Sequence, residues 1–343
     1  MTPELPVLRL GLAGFAEAAQ ERFQQLLGRL PGAAVRWEIV PLEEADAWWI
    51  NGARTQQLAD GTLRVASGAP GGRSLQLDLS GIDRPIAFGL PLAPRGLTPE
   101  RSFDPESPPS VAAVLAQFET LLRPLSAQFL LASQILERET ALGRGSHRVV
   151  ASGRLLAIVN LQGDASVLAT VRAADFEKSV WEPRPTSDEP LPRGFVRTTL
   201  SHLMWQYALR TGRDVLPARY RNCTLYFRRP PRLPQRLLLD SHLLLMRELA
   251  VEPATLEQLQ RRTGLAPRLL ERDLGALYLV GSVTSNARRV VWSPSSGRRE
   301  GPDSGLPNGQ DTQEGALDVQ GVAPQWKPEH PPDMTAPAPI PRG

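Results

Sequence analysis

Residues 7–50 alternate short apolar runs of β-favouring residues with a stretch of helical period, and few architectures accept that order. Val7 to Leu12 reads as a strand. Gly14 follows, and then Ala18 to Leu30, where Ala19, Phe23, Leu26, Leu27 and Leu30 recur at steps of three and four. Pro31-Gly32 stops that helix. Val35 to Val40 reads as a second strand, Pro41 to Ala45 as a helical turn and Ala47-Trp48-Trp49-Ile50 as a third strand. Leu75 to Leu79 and Pro85 to Leu90 add two more. A long helix is expected from Ser110 to about Glu139, with Val111, Val114, Leu115, Phe118, Leu121, Leu122 and Leu125 on one face. Strands separated by helices argue for an α/β domain over residues 1–140, doubly wound, with a mainly parallel sheet between helices. Trp48 and Trp49 are adjacent on a strand and so face opposite sides of it.

Over residues 7–125 this order resembles a bacterial response-regulator receiver domain. Asp46 to Asn51 stands where a receiver has its third strand, which ends on the aspartate that accepts a phosphoryl group. Here that position is Asn51. An amide is no nucleophile toward a phosphoryl donor and brings no charge to Mg²⁺. Ala13-Gly14-Phe15-Ala16 replaces the acidic pair expected after the first strand, and no lysine occurs in residues 1–177. No clear fifth strand is legible between Leu92 and Ser110. The resemblance implies a pseudo-receiver that keeps the fold without the phosphoryl chemistry, with Asn51 as the degenerate acceptor.

Residues 147–230 read as a small α+β domain. Gly153 to Leu161 and Val167 to Val171 form a hairpin around Gln162-Gly163-Asp164. A helix is expected from Arg197 to Arg210 and a strand from Cys223 to Phe227, before the stiff Pro230, Pro231 and Pro234. Arg144 and Arg148, followed by Asp164 and Ser166, resemble the paired arginines and Asp-x-Ser element of PilZ domains, which bind cyclic di-GMP. Guanidinium groups clamp phosphates and stack on guanine. Ala169 departs from that pattern, which has glycine there.

Residues 236–292 resemble a winged helix-turn-helix. Asp240-Ser241 caps a helix from His242 to Leu249, Thr255 and Gln258 form a capping box, and Pro267 opens a third helix that Gly281 ends. Ser282 to Thr284 and Arg289 to Trp292 flank Asn286 as a small wing would. Candidate DNA contacts are Arg261, Arg262, Arg268, Arg272, Arg288 and Arg289. Glu271 and Asp273 make the third helix charge-mixed, which suits a protein contact better than a DNA groove. From Ser293 the chain is rich in proline and glycine without apolar period, and residues 293–343 are expected to be disordered.

Composition adds mainly exclusions. The formal charge is only +3, from 39 basic and 36 acidic residues, and Lys178 and Lys327 are the only lysines. Cys223 is alone, so no intrachain disulfide forms. No stretch of about 18 apolar residues exists, and Pro3, Glu4 and Pro6 precede any apolar run, so a cytoplasmic location without a signal peptide is expected. No nucleophile elbow, phosphate-binding lysine loop or zinc-protease helix is present. His147, His202, His242 and His330 are far apart, and no cofactor or metal is expected. These observations suit a non-catalytic bacterial signalling adaptor with a protein partner; the alternatives are a DNA-binding regulator and a cyclic di-GMP receptor.

Overall fold

The computed structural model describes residues 4–29, 34–94, 96–139, 141–142, 145–161, 163–184 and 191–290. It is a mixed α/β structure. The front unit runs through β1 (Val7–Ala13), α1 (Glu17–Leu27), β2 (Arg36–Val40), β3 (Ala47–Asn51), β4 (Thr55–Gln57), β5 (Leu63–Val65), β6 (Leu75–Leu77), β7 (Ile86–Gly89), β8 (Ser102–Phe103) and α2 (Pro108–Leu121). Five strands form a parallel sheet in the order β2-β1-β3-β7-β8. The order reverses between β1 and β3.

The two faces of this sheet are covered differently, which corrects the expectation of helices on both. Leu8, Leu10, Trp49, Ala87 and Phe103 pack against Phe23 of α1 and Val111, Leu115 and Phe118 of α2. On the other face Ala13, Ile50 and Phe88 meet Leu63, Val65 and Leu77 of the antiparallel meander β4-β5-β6. A meander with one apolar face covers a sheet as a helix does. Trp49 lies in the helix-side core and Trp48 packs on the meander side, as strand alternation requires. The strand β8 is two residues long with Phe103 alone buried, too short to show an apolar alternation in the sequence.

The expected long helix is two. Leu122 leaves helical geometry at ψ 9°, and α3 (Arg123–Glu137) restarts with Pro124 in its first turn. Proline cannot continue the earlier helix without losing a hydrogen bond. The break redirects the chain: α2 packs in the front core, while Ala127, Phe129, Leu131, Ala132 and Ile135 of α3 pack on the middle sheet.

The middle elements are β9 (Ser146–Ala151), β10 (Arg154–Asn160), β11 (Asp164–Leu168), α4 (Ala173–Glu177), β12 (Val180–Pro183), β13 (Phe195–Thr199) and α5 (Leu200–Arg210). The sheet order is β12-β9-β10-β11-β13, all antiparallel. Arg197 lies in β13, not in the helix where the sequence pattern put it; Thr199 caps α5 by accepting from His202 N–H at 3.1 Å.

The rear elements are β14 (Tyr226–Phe227), α6 (Asp240–Val251), α7 (Leu256–Thr263), α8 (Pro267–Leu279) and β15 (Val283–Thr284). The capping box at α7 forms: Gln258 N–H donates to Thr255 Oγ1 at 3.3 Å and Thr255 N–H to Gln258 Oε1 at 2.8 Å. Gly264 ends α7 at φ 67°. The cap of α6 differs from expectation, because His242 Nδ1, rather than Asp240 or Ser241, accepts the Leu239 N–H at 3.0 Å. Among the described residues β15 pairs with β14, an antiparallel partner the sequence pattern had not offered. Ala287–Arg289 is a 3-10 turn, and Val291 and Trp292 lie outside the described residues, as does the tail 293–343. No helix among the described residues is long and apolar enough to cross a membrane.

Candidate functional site

Open parallel sheets bind ligands at the carboxyl ends of their strands, where the strand order reverses. In this sheet that place lies between the ends of β1 and β3, at Gly14 and Asn51. The Asn51 amide is spent on backbone: Nδ2 donates to Gly14 O at 3.1 Å and Oδ1 accepts from Ala53 N–H at 3.2 Å. Glycines let backbone close over the crevice. A β-carbon at Gly68 would lie 1.9 Å from Phe15 O, and one at Gly52 would lie 2.5 Å from Gly89 O. Phe15 is buried and stands edge-on to Phe23 at 5.2 Å, its ring against Gly89. Among the described residues no group of three His, Cys, Asp or Glu side chains could hold a metal ion.

The amino-terminal side of the same sheet holds a buried charge chain that sequence reasoning missed. Asp46 accepts from Arg9 N–H at 3.0 Å and pairs with Arg210 of α5, both side chains being under a tenth exposed. The Arg9 guanidinium donates to Leu209 O and lies 3.7 Å from Glu44. Glu44 meets Arg272 of α8 at 3.3 Å, Arg272 meets Asp273 at 3.1 Å, and Asp273 lies 3.4 Å from His242 Nε2. Trp205 of α5 packs on the His242 ring at 4.6 Å. Burial, then the neighbouring Arg210 and Arg272, push the Arg9 guanidinium down to about 10. Burial alone would raise the Asp273 carboxyl, but the His242 contact and the Arg272 charge hold it below the ordinary range. The legible signal was Arg9 itself, a charge inside an otherwise apolar strand, since such residues are buried only when paired.

A second tie joins the start of the chain to the end of α5. Glu4 accepts from Tyr207 Oη at 2.9 Å and Gly212 N–H at 3.1 Å, and pairs with Arg213 at 3.0 Å. Arg213 also reaches Glu137 of α3 at 3.1 Å. Burial chiefly, with the Glu4 charge, pushes the Tyr207 hydroxyl up to about 12.

The six arginines singled out for DNA are dispersed in role. Arg272 belongs to the buried chain and Arg262 pairs with Glu252 at 2.7 Å. Arg261 is exposed on α7, Arg268 on the first turn of α8, and Arg288 and Arg289 on the turn after β15. Of the nucleotide candidates, Arg148 pairs with Glu182 at 2.6 Å, Asp164 with Arg197 at 2.7 Å, and Ser166 is buried on β11. Arg144 lies outside the described residues. The structure does bring Arg289 beside Arg219 and Arg228, neither of which the sequence pattern had marked, in a cleft of about 350 Å³.

No protein-family model, curated protein or solved structure matches the chain.

Proposed function

We propose that the chain is a non-catalytic signalling adaptor, with a front module that works as a phosphorylation-independent pseudo-receiver and engages a protein partner. One observation carries this reading: both polar ends of the Asn51 amide are committed to Gly14 and Ala53, at the strand end where a receiver holds its acceptor carboxylate. The strand order β2-β1-β3-β7-β8 is that of flavodoxin-like sheets, the group to which receivers belong, and supports the same reading. The meander on one face replaces helices that a receiver would carry, so a partner would meet a different surface there. Incubation of the full chain with acetyl phosphate and Mg²⁺, followed by intact-mass measurement, is expected to leave the mass unchanged. A stoichiometric phosphoryl adduct would sink the reading. A partner recovered in stoichiometric complex from the source cells should bind equally with and without acetyl phosphate.

A second reading, DNA binding through a winged-helix-like rear unit, is favoured by the exposed Arg261, Arg268, Arg288 and Arg289, none in an ion pair among the described residues. Duplex DNA should then retain the full chain with an affinity that falls steeply with salt. Absence of retention at low salt removes this option. The cyclic di-GMP reading draws no support, because Arg148 and Asp164 are each already neutralised by a neighbour.

A further inference from the structure

The cleft beside β15 gathers three arginines, Arg219, Arg228 and Arg289, in its lining. Its walls are Arg219 and Tyr220 of a 3-10 turn, Arg228 just after β14, the end of α8 with Gly281, and β15 with the turn that follows it, and no carboxylate lines it. Arg228 is held in place by its own backbone, whose N–H donates to Ser282 O at 2.8 Å. Its Nε is shut off from solvent and makes no hydrogen bond.

Gly281 forms the turn that faces these side chains, in a left-handed conformation that favours glycine. It sits at φ 71°, and a β-carbon there would lie 3.5 Å from Arg228 Nη1 and 3.6 Å from Arg229 Nη2. Arg219 lies over Tyr220 at 5.5 Å, and Tyr220 meets Tyr278 edge-on at 4.9 Å. Arg289 is offered from the opposite wall on a turn closed by its N–H to Asn286 O at 3.0 Å. Burial, and then the charges of Arg228 and Arg232, lower the pKa of the neighbouring Arg229, which marks the crowding of cations here.

We infer that this cleft, between Arg219, Arg228 and Arg289, is a binding site for a phosphate group. Three guanidinium groups around one small cleft exceed what a single carboxylate neutralises, whereas a phosphate monoester carries a charge of about −1.5 to −2 and several acceptor oxygens. The planar fork of arginine matches phosphate oxygens two at a time. The volume lies at the small end of ligand pockets, roughly 300–1,000 Å³, so the phosphate and a small part of what bears it fit inside. A free phosphoester and a nucleic-acid backbone both offer the oxygens that guanidinium forks bind, although each backbone phosphate carries only about one negative charge.

Calorimetric titration of the full chain with inorganic pyrophosphate at low salt tests it, with circular-dichroism melts to verify folding. Binding is expected in the parent chain. Arg228→Gln and Arg289→Gln should each weaken it by about tenfold or more, the factor equivalent to about 1.4 kcal/mol. Arg289 is exposed, so its variant decides if Arg228→Gln fails to fold. Duplex DNA that displaces pyrophosphate, and loses affinity in the same variants, would identify the backbone as the source; failure to displace it would point to a free phosphoester. No heat with pyrophosphate in the parent, or parental affinity in every folded variant, overturns the site.

Discussion

Arg9 is a charged residue in the middle of a strand whose neighbours Leu8 and Leu10 are wholly buried; its guanidinium lies 3.7 Å from Glu44 and feels the charge of Asp46, which accepts the Arg9 backbone N–H. Removing the shared carboxylate should therefore be severe. Asp46→Ala leaves Arg9 and Arg210 buried without it, and urea unfolding is expected to show a loss of about 3–5 kcal/mol, the range for breaking a buried pair. By contrast Arg22→Ala, at an ion pair with Glu106 that is exposed on both sides, should leave the unfolding midpoint unchanged. His202 supplies a pH dependence. Burial first, then the charges of Arg210 and Arg236, lower its pKa from 6.5 to about 4. Between those values the unfolded chain binds a proton that the folded chain refuses, so stability falls as pH drops through that window. His202→Gln should remove about one proton from the slope of stability against pH, measured by urea unfolding between pH 4 and 7.

Among the elements, those governed by local chemistry were legible and those governed by distant pairing were not. The box at α7 needs only Thr255 and Gln258, four residues of chain, and it forms as read. Thr255→Ala is expected to cost about 1 kcal/mol, seen as a lower thermal midpoint. The partner of β15 was not legible, because Tyr226–Phe227 lies more than fifty residues upstream and both strands are two residues long. The Pro124 break was present in the sequence but hidden by an apolar period that runs through it on both sides. Closure of the strand ends around Asn51 depends on Gly68, whose α-carbon lies against the Phe15 carbonyl. Gly68→Ala should force these backbones apart and speed hydrogen exchange at Phe15, Ala16 and Ala66.

At the scale of the whole molecule, α5 joins the middle and rear units. Leu203, Met204 and Tyr207 belong to the middle core, and Trp205 and Ala208 to the rear core. Its end is tied to the front by Arg210–Asp46 and by Glu4. Units sharing a helix and a buried charge chain should lose structure together, so tryptophan fluorescence and far-ultraviolet circular dichroism are expected to trace one urea transition. Two separated transitions would show the ties to be weaker than the cores. The sequence by itself determined the alternation of strands and helices at the front, the opposite facing of Trp48 and Trp49, the cap of α7 and the amide at position 51, because each depends on residue type or near neighbours. Only the tertiary structure decided that a meander covers one sheet face, that Arg272 turns inward to Glu44, and that Arg219, Arg228 and Arg289 share a cleft. Those outcomes depend on which distant surfaces meet, and burial is rewarded only once the chain has brought them together.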